Sequence, residues 1–130
     1  MIRKLFTAAA VLVVISGCGS GATDAPSRVA LDFARAVTAH DGERACSLVA
    51  PATRSQLEAD GHPCSESVLS QEVPSSTRVR RAQQYGLESR VVLDKDVVFV
   101  SWFSIGWRVV AAVCKDRGEK LPYDCQIAGE

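Results

Sequence analysis

The residues of this 130-residue chain best suited to chemistry are its five cysteines. A thiolate can attack a substrate, hold a metal, exchange with a disulfide, or be capped by a lipid or a second cysteine. Neither short metal-ligand spacing nor the C-x-x-C of a redox centre occurs among Cys46, Cys64, Cys114 and Cys125. With Cys18 set aside, these four form an even set with three available pairings. The sequence-local pairs Cys46–Cys64 and Cys114–Cys125 are expected, because the first falls in a helical half of the chain and the second in a strand-rich half. Each would close a loop of about ten to twenty residues and contribute on the order of 3 kcal/mol.

Few other side chains offer chemistry. Asp32 lies on the outward side of a first helix, His40 in the turn after it, and Tyr85 at a strand end, so none has the apolar setting that tunes a general acid or base. His40 and His62 sit beside turn residues without further ligands, which is no metal site. Arg78, Arg80 and Arg81 form the one basic cluster and are expected to be a solvated strand edge. No catalytic, cofactor-binding or metal-binding residue is assigned, and the chain is expected not to be an enzyme.

Cys18 is different because of what precedes it. Met1 to Lys4 is short and basic, Leu5 to Ile15 is apolar apart from Thr7, and Ser16-Gly17 is small, the plan of an export signal. About eleven apolar residues span only ~16 Å as a helix, half of a bilayer's ~30 Å hydrocarbon layer. Ile15-Ser16-Gly17-Cys18 resembles the lipobox of bacterial lipoproteins. That resemblance implies a diacylglyceryl group on the Cys18 thiol, cleavage after Gly17, and acylation of the new amino terminus. Two acyl chains give stable anchoring where one is marginal. The implied layout is a signal peptide at 1–17, a lipidated Cys with a flexible linker at 18–24, and one domain at 25–130. The implied location is the extracytoplasmic side of the cell membrane, where disulfides persist. The linker Gly19 to Asp24 reaches at most about 20 Å.

Basic and acidic residues number 15 each; removing Arg3 and Lys4 with the leader leaves 13 against 15, a net charge of −2. Nucleic-acid partners need a basic surface to release counterions, so that class is set aside.

Helical spacing of Val29, Ala30, Phe33, Ala34 and Val37 predicts a helix over 25–39, capped by Asp24, with Pro26 in its first turn and an end at His40-Asp41-Gly42. Short helices follow over 43–49, from Pro51 to about Ala59, and from Cys64 with Val68 and Leu69 buried. From Ser76 the period becomes two. Strands are expected towards Tyr85, over 87–93, 97–104, 107–114 and 123–128, with turns at Gly86, Asp94-Lys95-Asp96 and Ile105-Gly106. Helices followed by a curved antiparallel sheet make an α+β domain.

This order is similar to the nuclear transport factor 2-like fold, the cystatin-like α+β roll. "FARAVTAHDGERACSLVAPATRSQL" (33–57), "GWRVVAAVC" (106–114) and "PYDC" (122–125) resemble a group of small bacterial lipoproteins carrying that domain. The resemblance implies a cone-shaped cavity between helix and sheet, used in some members for acid–base catalysis and in others for binding or dimerisation. The expected function is a membrane-anchored binding or interaction module; the alternatives are a cavity enzyme and a structural accessory of an envelope complex. In "VVFVSWFSIGWRVV" both strand faces are apolar, and the set Val98, Val100 and Trp102 is expected on the uncovered face. That face would meet a second copy or an envelope protein, while the cavity would take a small apolar ligand.

Overall fold

The computed structural model describes residues 24–129. Cys18, the signal peptide and most of the linker lie outside them. The first helix, α1 (Ala25–Thr38), starts where the sequence says: Asp24 is its N-cap, and its Oδ1 accepts the Ser27 N–H at 2.8 Å. Phe33, Ala30, Ala34 and Val37 are buried, so the 3.6-residue period becomes the stripe laid on the sheet. The end differs in detail. The left-handed residue after α1 is His40 (φ 56°), while Gly42 opens α2 (Gly42–Ser47). Gly42 is needed for space: a Cβ there would stand 2.0 Å from the Ser65 carbonyl oxygen.

Three short helical pieces follow, α3 (Pro51–Leu57), α4 (Cys64–Ser67) and the 3₁₀ turn Val68–Ser70. The Cys46–Cys64 disulfide ties α2 to α4. Between α2 and α3 the chain joins the sheet. Val109 donates to the Leu48 carbonyl and accepts from the Ala50 N–H, both at 2.8 Å. The buried Thr53 hydroxyl donates to the Val110 carbonyl at 3.0 Å.

The sheet is an antiparallel meander in the order β1-β2-β3-β4-β5 and is not closed. Its strands are β1 (Val79–Tyr85), β2 (Glu88–Leu93), β3 (Val97–Phe103), β4 (Gly106–Lys115) and β5 (Asp124–Ala128). The stretch before Val79 does not pair as a strand, and the β1–β2 register shifts between Val79 and Arg81, which interrupts the two-residue period expected from Ser76. Arg78, Arg80 and Arg81 are exposed. Cys114 and Cys125 are register partners and form the second disulfide, with Cα atoms 4.0 Å apart.

The two faces of β3 are the reverse of the sequence expectation. Val98 and Val100 are 1% and 0% exposed and point into the core with Val91, Val109, Ile127 and Phe33. Both apolar sets of this strand satisfy a buried role, so alternation alone could not say which one the helices cover. Trp102, third in the expected surface, is 47% exposed near the strand's end. The space between α1 and the sheet is occupied by these fully buried side chains, each of which contributes about 1.5–3 kcal/mol by leaving water.

Candidate interaction surface

Strand direction sorts the molecule into two ends. The β2–β3 turn, the β4–β5 connection and the start of β1 lie at one end; the β1–β2 and β3–β4 turns lie at the other.

Carboxylates organise the first end. Asp96 accepts three backbone N–H bonds, from Val97 (2.8 Å) and Cys114 (3.1 Å) on Oδ1 and from Val113 (2.9 Å) on Oδ2. Val113 is held at φ 56°, a conformation β-branched residues rarely adopt. The carboxylate thus takes up N–H groups that a regular ladder would have paired, directly beside the Cys114–Cys125 bridge. Burial pushes the Asp96 carboxyl above its ordinary value, with the three donors working against that. Two residues earlier Asp94 behaves oppositely. Desolvation acts to raise it, but Thr77 and Arg78 backbone donors and the Thr77 hydroxyl prevail and hold it low. The α1 terminus is fastened to the same end, with Arg35 Nη2 donating to the Thr77 carbonyl at 3.4 Å.

The second end is apolar. Of the five large hydrophobic side chains exposed among the described residues, Tyr85, Leu87, Trp102 and Ile105 all lie here, and Leu121 lies elsewhere. Gly86 (φ 60°) turns β1 into β2, and Gly106 (φ 104°) opens β4. The Trp102 N–H donates to the Leu87 carbonyl at 2.8 Å and joins the two turns into one surface. Trp102 packs edge-on against Trp107, centroids 5.7 Å apart, and Trp107 in turn packs on the core. A recess of about 420 Å³ beside Trp102 is lined by Leu87, Phe103, Thr53 and Val110 among others.

The sheet face away from the helices is partly roofed. Tyr123, just before β5, lies edge-on to Phe99 with centroids 5.2 Å apart, and its hydroxyl accepts from Arg90 Nη1 at 3.0 Å. Arg90 Nη2 donates to Gln83, and the Arg90 Nε is buried without a partner. The C-terminal segment therefore covers part of the face that was expected to pack on the helices.

Neither Asp32 nor the histidines and Tyr85 come together. Asp32 faces Arg44 of α2 at 3.9 Å, His40 is exposed in its turn, and His62 lies 3.8 Å from Glu66. Among the described residues no group of three His, Cys, Asp or Glu could hold a metal, and no helix is long and apolar enough to cross a membrane. Sequence reasoning missed Leu87 and Ile105 as surface residues. The signal was present: large aliphatic side chains stand at hairpin turns where small polar residues are usual. It also read Asp96 as a turn residue only, since its partners lie across the sheet.

The chain matches no protein-family model, no curated protein and no solved structure.

Proposed function

We propose that this protein is a lipid-anchored extracytoplasmic module, cleaved after Gly17 and acylated at Cys18, whose body is a cystatin-like roll acting by binding rather than by catalysis. The observation that carries the reading is that both remaining cysteine pairs are bridged within the fold. Two disulfides in so small a body belong to an oxidising compartment, which is where a lipobox would deliver it. The roll is supported by one long helix laid across a five-stranded antiparallel meander. Binding is supported by an exposed apolar surface set on rigid hairpins. The same surface also suits an accessory subunit of an envelope complex.

The test is the mass of the protein isolated from bacterial membranes. Residues 1–17 are expected to be lost, with a mass increase on Cys18 that disappears in Cys18→Ala. An unmodified full-length mass would overturn the reading.

A further inference from the structure

Tyr85, Leu87, Trp102 and Ile105 stay exposed among the described residues, and the composition of this end says what it suits. Leu87 and Ile105 occupy the two hairpin turns, with Tyr85 and Trp102 beside them. Aromatic rings with a polar tip favour the boundary between water and hydrocarbon, and aliphatic side chains favour the layer just beneath it. Opposite charges flank the patch: Glu88 and Arg108 are both register partners of Ser101, and Arg108 Nη1 donates to the Trp107 carbonyl at 2.8 Å. The surface is thus close to neutral, and its attraction to a partner is apolar rather than ionic.

The chain preceding the described residues limits how far the patch can stray. Asp24, where the fold begins, is six residues from Cys18. Such a linker reaches at most about 20 Å, and a body of this size has a radius of gyration of about 13 Å. A body on so short a tether turns beside the bilayer and presents each of its faces to it. The face that loses most by staying in water is the apolar end.

We infer that the tip formed by Tyr85, Leu87, Trp102 and Ile105 is a membrane-docking surface that sits in the interfacial layer of the bilayer. The tether argument rests on the lipoprotein reading above; the patch itself does not. Docking at the tip turns the braced end, with Asp94, Asp96 and the Cys114–Cys125 bridge, away from the lipid.

The experiment uses the full chain purified from bacterial membranes and reconstituted into vesicles of phosphatidylethanolamine and phosphatidylglycerol, with and without brominated acyl chains. Bromine quenches tryptophan emission only at close range. The expected result is quenching that survives high salt, falls away in Trp102→Phe, and is lost in Leu87→Asp/Ile105→Asp while that variant still floats with the vesicles. If the double variant fails to fold, Leu87→Ser and Ile105→Ser singly must each reduce quenching. Flotation without quenching overturns tip docking and leaves the anchor standing. Quenching by a chain whose mass shows no lipid leaves the tip standing and removes the anchor. A chain that neither floats nor is quenched overturns both.

Discussion

The two ends of the sheet are built from the same hairpins and could hardly differ more. At one, two aspartates accept backbone N–H groups from Thr77, Arg78, Val97, Val113 and Cys114, beside a disulfide and an α1 terminus held to the Thr77 carbonyl. At the other, glycine-assisted turns carry Tyr85, Leu87 and Ile105 into solvent, with Trp102 beside them. Stability concentrates where side chains answer backbone N–H groups. Freedom to meet something else is kept where they do not. Changes at the braced end should therefore register in unfolding, and changes at the apolar end in association.

The largest effect is expected from Cys114→Ala/Cys125→Ala. Opening this loop releases the strand pair that also carries the positive-φ Val113, and should cost about 3 kcal/mol in urea unfolding. The Cys46→Ala/Cys64→Ala pair, closing a slightly longer loop between helices, should cost a similar amount. A loss confined to the helical pair would break the contrast between the ends.

Next comes Asp96→Asn. An amide keeps one acceptor oxygen but turns its NH₂ towards an N–H group, which leaves a partly buried donor unmatched; the cost should be about 1–3 kcal/mol. Asp94→Asn, at a more exposed site, should cost less by the same measurement.

The pH dependence sharpens the difference between these neighbours. Asp94 is held below its unfolded value, so its stabilising contribution is present above about pH 4 and is lost as pH falls through the depressed folded value. Asp96 is raised, so the folded state keeps its proton longer. Its contribution favours folding most below about pH 4 and declines as pH rises through the raised folded value. Carboxyl-carbon NMR titration should find Asp94 below the ordinary aspartate value and Asp96 above it; the reverse order would contradict the geometry.

The smallest effect on folding belongs to the apolar end. Leu87→Ser and Ile105→Ser should each change stability by no more than about 0.5 kcal/mol, because both side chains are more exposed than buried. A loss above about 2 kcal/mol would mean that these residues belong to the core.

Much of the scaffold could be read from the chain. The Asp24 cap, the apolar stripe of α1, the period change after Ser76 and the opposed Cys114 and Cys125 are local signals, and each corresponds to an element or a bond of the fold. What failed was non-local. Val97 and Phe99 against Val98 and Val100 gives two apolar faces, and only the helices' placement decides between them. Gly42 reads along the chain as the end of the first helix, whereas a carbonyl from α4, more than twenty residues away, demands its missing side chain. The apolar end is spread over two hairpins. Its residues become one surface through the β2–β3 pairing and the Trp102–Leu87 hydrogen bond, which no window along the chain contains.

Hydrogen–deuterium exchange of the vesicle-bound full chain compares the two ends in one measurement. Slowed exchange is expected in the turns at 85–87 and 104–106 on vesicle binding, with exchange in the connection at 116–121 unchanged from that of the chain free of lipid. Protection of 116–121 with fast exchange at both apolar turns would place the wrong end against the membrane and contradict docking at the tip.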